Sequence, residues 1–125
     1  FNMKRIFTKD DFKTLKSITS SHQSNINLKE LNSMNAILAT AQILEQEKAS
    51  EKFIKLNAKF EVLDEASNNT LKLMLTLPHQ TNIKENKISV FSPLGFALIG
   101  QIEGNLLECK LPNGIKKLKV LNAAI

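Results

Sequence analysis

The stretch Ile88-Ser89-Val90-Phe91-Ser92-Pro93-Leu94-Gly95-Phe96-Ala97-Leu98-Ile99-Gly100 decides how this chain folds. Ile88 and Val90 are β-branched and belong in a strand. Pro93 cannot donate a backbone hydrogen bond and has φ preset near the helical value, which suits the first helical turn. Ser92 is placed to cap the free N–H groups behind it, so the strand ends at Val90 or Phe91. Gly95 and Gly100 bracket a short apolar run, Phe96-Ala97-Leu98-Ile99, which reads as a helix pinned against a sheet. Gly100 suits the left-handed position that terminates it. Phe91 and Leu94 flank the proline and are expected at a surface turn.

Downstream, Leu111-Pro112-Asn113-Gly114 opens a tight hairpin into Ile115-Lys116-Lys117-Leu118-Lys119-Val120-Leu121. Leu107, Cys109 and Leu111 form the inward set of the strand before it, with Glu108 and Lys110 facing water, and Leu118 and Val120 the inward set of the strand after. Upstream, Ile54, Leu56, Ala58, Phe60 and Val62 alternate with polar residues, and so do Leu71, Leu73, Leu75 and Leu77. The turn chemistry of Asp64 to Asn69 joins these two strands. Residues 51–125 are therefore expected to form an antiparallel sheet with one short helix against it.

Residues 1–50 follow a helical period. Thr8 with Asp11 three positions later resembles a capping box, and Phe12, Leu15 and Ile18 make a narrow apolar stripe. A second start, Asn27 with Glu30, leads into Leu28, Leu31, Met34, Leu38 and Ala41, with a helix expected to about Glu47. Two helices joined by the polar link from Thr19 to Ser24 pack as an antiparallel hairpin. At about 1.5 Å per residue the first arm spans only roughly 18 Å. No Asp or Glu occurs from Thr19 to Leu28. The expected class is α+β, with a short helical hairpin over residues 1–50 and the sheet domain over 51–125.

The 125 residues suffice for one modest core with an arm, and the net charge of +5 is shared between the halves. Seven Lys/Arg face five acids in residues 1–50, and ten face seven in residues 51–125. Such a mild excess permits attraction to nucleic acid or an acidic protein without demanding either. Lys110, Lys116, Lys117 and Lys119 are candidates for phosphate or acidic-surface contact. Trp and Tyr are absent, which removes the stacking platforms that single-stranded nucleic acid prefers. The single Cys109 cannot form an internal disulfide, and no signal-like amino-terminal segment or apolar run of roughly 20 residues occurs, so a cytoplasmic protein with no membrane association is expected. Met3 is a candidate start, with Phe1 and Asn2 ahead of it.

Catalytic constellations are not found. His22 and His79 have no Cys, Asp or Glu at metal-ligand spacing, and no Ser, His and acid order suggests a triad. Cys109 alternates with buried leucines and reads as a core residue. Asp10 and Asp11 lie in a first helical turn, where capping and dipole stabilisation account for them. No metal, no cofactor and no enzymatic activity are expected.

The Ser92-Pro93-apolar-Gly block and the Pro112-Asn113-Gly114 hairpin, in that order and at that distance, resemble the C-terminal domain of the bacterial Gre transcript-cleavage factors. The shortened amino-terminal hairpin is similar to that of the Rnk branch, regulators of nucleoside diphosphate kinase. The resemblance implies an FKBP-like fold for residues 51–125 and docking at the rim of the secondary channel of RNA polymerase. It also implies that Phe91, Ser92, Pro93 and Leu94 form the partner-binding segment. Gre factors often carry an acid just before Ser-Pro; Phe91 stands there here, so apolar contact is expected to replace a salt bridge. Gre factors also extend a long hairpin with an acidic tip that holds a catalytic metal ion, and this hairpin has neither the length nor the acids. The resemblance therefore implies a regulator that binds polymerase, competes with Gre factors and does not stimulate cleavage. Two other readings remain: a small RNA-binding module using the Lys116 to Lys119 flank, and a peptidyl-prolyl isomerase. The isomerase reading is opposed by the missing Trp and Tyr that line such pockets.

Overall fold

In the computed structural model, which describes residues 5–21, 26–44 and 52–124, the helical hairpin forms where its caps predict. A short strand β1 (Ile6–Thr8) runs directly into helix α1 (Lys9–Ser20). Thr8 Oγ1 accepts the Asp11 N–H at 3.0 Å, which is half of the expected capping box. The other half is not made, because the Asp11 carboxylate turns instead to accept the Leu56 N–H at 3.0 Å. Helix α2 (Leu28–Ala39) has the complete box, with Asn27 Oδ1 accepting from Glu30 N at 2.8 Å and Glu30 Oε1 accepting from Asn27 N at 3.1 Å. Residues 22–25, including His22 and Ser24 of the expected link, lie outside the described residues.

Helix α2 stops at Ala39, well short of the expected Glu47. The chain turns at Thr40 and enters strand β2 (Gln42–Leu44), which pairs parallel with β1 in the register Ile6–Gln42 to Thr8–Leu44. Gln42 N–H donates to Arg5 O at 2.8 Å. Backbone partners on β1 satisfy this segment better than another helical turn would, a tertiary override of the period.

The larger sheet contains β3 (Lys59–Asp64), β4 (Asn69–Thr76), β5 (Lys87–Ser89), β6 (Leu106–Leu111) and β7 (Gly114–Asn122). Its order is β5-β4-β3-β7-β6. The α+β class is as read from the sequence, and the expected pairings of β3 with β4 and of β6 with β7 are antiparallel, as is the pairing of β3 with β7 that places the last strand beside the first. One edge differs, since β4 and β5 pair parallel. The polar connection Pro78 to Lys87 winds through two 3-10 turns, Pro78–Gln80 and Ile83–Glu85, and returns the chain to the start of β4's direction. Strand β3 also begins later than the alternation suggested. Phe53 and Leu56 make only isolated bridges, to Ile102 and Leu75, and Asn57 breaks the strand with φ +61°.

Helix α3 (Pro93–Leu98) and the hairpin share one side of this sheet. Leu15, Met34 and Leu38 join Phe60, Val62, Leu75, Leu98, Leu107, Cys109, Leu118 and Val120 in a continuous buried cluster. Leu71, expected on the buried face, is 38% exposed although its cross-strand partner Val62 is buried, because β5 pairs with β4 only from Met74 to Thr76 and leaves Leu71 without a strand neighbour on that side. The expected boundary near residue 50 falls among residues that are not described.

Candidate docking turn

The corner between β5 and α3 is built from one serine handing over to another. Ser89 Oγ accepts the Phe91 N–H at 3.0 Å, and Ser89 O accepts from both the Ser92 N–H at 3.1 Å and the Ser92 hydroxyl at 2.7 Å. Ser92 Oγ then accepts the Gly95 N–H at 3.0 Å, which caps α3 as its sequence position predicts, with Pro93 at the first helical position. The Gly95 and Phe96 N–H groups of this short helix start are thus met by the hydroxyl and the carbonyl of Ser92, and Pro93 has no N–H to satisfy.

Gly95 is required by contact. A Cβ there would sit 2.3 Å from Ser89 O and 2.8 Å from Val90 Cα, so the helix could not lie this close to the strand it follows. Gly100 is required by conformation, with φ +77°. Its N–H donates to Ile54 O and its carbonyl accepts the Ile6 N–H, each at 3.0 Å.

Of the four expected partner-binding residues, Pro93 is exposed and Ser92 and Leu94 are half-buried. Phe91 corrects the expectation: it is 3% exposed, inside the core cluster, with its ring edge-on to Phe96 at 6.1 Å between centroids. The physical reason is strand alternation broken by the turn. Val90 and Phe91 both point inward because the Ser89 Oγ bond to the Phe91 N–H reverses the chain between them. The apolar side chains that the turn leaves accessible are those of Pro93 and Leu94.

One neighbour of the turn, Arg5, gave no warning in the sequence. The guanidinium of Arg5 donates from Nη1 to the carbonyls of Phe96 and, at 3.1 Å, Ile99, and so closes the C-terminal end of α3. Burial lowers its pKa from the ordinary value, which for arginine leaves it charged. Cys109 Sγ lies 3.7 Å from Pro93 O, beneath the helix start, and burial raises its pKa against the opposing charge of Lys116. It is fully buried, in keeping with a core residue. Gln101, also buried, donates from Nε2 to Ala97 O at 3.0 Å.

The expected basic flank is divided by the fold. Lys116 sits opposite Cys109 on the inner side of the sheet's end and reaches Asp64 on β3 at 3.2 Å. That hydrogen bond, with backbone N–H donors at Ala66 and Ser67, holds the Asp64 carboxyl below its usual value against the effect of burial. Lys110, Lys117 and Lys119 are exposed on the opposite side, so the four lysines do not form one patch. Among the described residues no group of three or more His, Cys, Asp or Glu is placed to hold a metal ion. Among the described residues no helix is long and apolar enough to cross a membrane.

A family profile described as "Transcription elongation factor, GreA/GreB, C-term" matches residues 49–124. Among curated relatives, "Transcription elongation factor GreA" of a Caulobacter species is 33% identical over 84 residues, which are 67% of this chain and 54% of that protein. The GreA of Brucella anthropi is 28% identical over 97 residues, 78% of this chain and 62% of that protein. The chain thus spans little more than half the length of the curated relatives it matches. A solved structure titled "Prokaryotic transcription elongation factor GreA/GreB from Nitrosomonas europaea" superposes with a TM-score of 0.75 over 95% of this chain and 96% of that one, at 22% identity. GreA factor homolog 1 of Thermus thermophilus superposes at 0.50 over 94% and 96%, at 23% identity. At these identities the structural likenesses speak for the fold alone.

Proposed function

The chain belongs to the family defined by the C-terminal domain of the transcription elongation factors GreA and GreB, and from that premise we propose that it binds bacterial RNA polymerase in the cytoplasm, at the rim of the secondary channel. The binding segment is the Ser92-capped turn, with Pro93 and Leu94 as its apolar contacts. The protein acts by occupancy and not as an enzyme, and it needs no cofactor.

The observation that carries this reading is the pairing of an intact turn with a stunted hairpin. Helices α1 and α2 have 12 residues each, so each arm reaches only about 18 Å. The link from Thr19 to Leu28 offers hydroxyls, amides and one imidazole, whereas a hard Mg²⁺ ion requires oxygen donors such as carboxylates. A protein of this form docks without delivering a metal to a distant active centre, and it excludes factors that use the same entrance. The short hairpin also keeps the likeness to the Rnk branch within the proposal.

The test is competition. Core RNA polymerase stalled on a template with labelled RNA is treated with a Gre factor and rising concentrations of this protein. Cleavage is expected to fall as this protein displaces the Gre factor. Cleavage that persists at a large excess would rule out the shared site.

A further inference from the structure

The side of the five-stranded sheet turned away from the core is covered by no described element, and its outward residues Leu63, Met74, Leu106 and Ile115 are absent from the buried cluster. Strand register fixes what lies beside what on this face. Leu63, Lys119 and Leu106 form one row across β3, β7 and β6; Lys117 and Glu108 form the next; Ile115 and Lys110 form the third. Leu106 is 58% exposed and Ile115 is 62% exposed. They stand at opposite corners of the patch, roughly 14 Å apart from four residues at about 3.4 Å each.

Lysines on a sheet edge usually serve to discourage edge-to-edge pairing, and Lys110 on the edge strand β6 fits that use. Lys117 and Lys119 do not. On β7, Lys119 lies between Leu63 of β3 and Leu106 of β6, and Lys117 lies between Glu108 of β6 and Glu65, the residue just past the end of β3, whose N–H donates to the Lys117 carbonyl, so neither stands on an open edge. Among the described residues none of these three lysines takes part in an ion pair, and two acids adjoin them: Glu108, opposite Lys117 on β6, and the exposed Glu65, whose N–H donates to Lys117 O at 3.0 Å, so the lysines still outnumber the acids by three to two.

The combination discriminates between partners. Phosphates would answer the lysines but leave Leu106 and Ile115 in water, and no aromatic ring lies on this patch to stack a base. A protein segment that alternates acidic and apolar side chains would neutralise the lysines and cover both hydrophobic residues together. We propose that the outer face of the β6–β7 hairpin is a second interaction surface, built to receive an acidic amphipathic segment of a protein partner. This face is opposite the one on which α3 packs, so it is independent of the turn at Pro93.

The test uses fluorescence anisotropy with three labelled probes: an acidic amphipathic peptide carrying leucine and glutamate, poly-glutamate, and a short DNA duplex. The amphipathic peptide should bind, with poly-glutamate about tenfold weaker or worse, since a tenfold ratio corresponds to only about 1.4 kcal/mol. Lys117→Glu with Lys119→Glu, and separately Leu106→Ser with Ile115→Ser, should each weaken the peptide by about tenfold or more. Lys13→Glu with Lys16→Glu on α1 should change it by less than about twofold, as should Pro93→Ala. Preferential binding of the duplex, equal binding of poly-glutamate, no binding of any probe, or unchanged binding by patch variants that melt like the parent would each overturn the proposal. A failure of polymerase binding in the Pro93→Ala variant would leave this result untouched.

Discussion

At the scale of single residues, two glycines separate contact from conformation. Gly95→Ala places a methyl against backbone atoms of Ser89 and Val90 that cannot move independently, and overpacking of this kind costs about 1–3 kcal/mol or more. Gly104→Ala meets no atom within 4 Å, so its cost comes from its φ of +93° alone, which is about 1–2 kcal/mol. Denaturant unfolding of both variants should show the larger loss at Gly95. Phe91 and Pro93 make a second contrast. Phe91→Ala empties a core position and should cost about 3–5 kcal/mol of stability. Pro93→Ala should leave the midpoint of unfolding nearly unchanged while weakening binding to core polymerase. A Phe91→Ala protein that unfolds like the parent would show that its ring is not packed as described. Proline's role was legible from residue type; the direction of the Phe91 ring was not, because the turn in which Ser89 accepts from the Phe91 and Ser92 N–H groups breaks the alternation.

At the scale of elements, α3 is a six-residue helix, too short to persist without help at its ends. Ser92 supplies the help at one end, and Ser92→Ala should cost about 1 kcal/mol. Arg5 supplies it at the other, and Arg5→Met, which keeps much of the aliphatic stem but loses both carbonyl contacts, should cost about 1.5–3 kcal/mol, the range of hydrogen bonds to charged groups. Since Arg5 also stitches β1 to β2 through its own carbonyl, this variant should reduce amide protection in α3 and in Gln42 together. Protection lost in α3 alone would show that the two ends are not linked. The ion pair between β3 and β7 predicts a pH effect. The Asp64 carboxyl titrates below its usual value because Lys116 and backbone N–H groups favour its charged form. The folded state therefore gains stability above the unfolded Asp value of about 3.9, and loses it as pH falls through the lower folded value. Asp64→Asn should flatten that part of the stability profile. A profile identical to the parent's would remove Asp64 from the account.

At the scale of the whole molecule, reach governs activity. The acid-grafted variant Ser21→Asp with Ser24→Glu should still leave labelled RNA in backtracked complexes uncut, because an arm of roughly 18 Å puts the acids in the wrong place before their chemistry matters. Cleavage by the parent would overturn the occupancy reading, and cleavage by the grafted variant alone would show a longer reach than the helices give. The sequence by itself determined the caps of α1, α2 and α3, the two-residue alternation of β4, β6 and β7, and the turn residues that join them. Each of these depends on neighbours within a few positions, where residue type dictates backbone geometry. Only the tertiary structure decided that α2 yields to a strand after Ala39, that β5 joins the sheet parallel, that Phe91 turns inward, and that Lys116 leaves the other lysines for Asp64. For Gln42, Ser89 and Lys116 the deciding partner lies far away in the chain, at Arg5, Thr76 and Asp64, while for Phe91 the nearby Ser89 hydroxyl turns the chain and the distant core cluster receives the ring. Local pattern carries no record of which distant backbone or charge will be waiting, and the free energy of meeting it is what overrides the local preference.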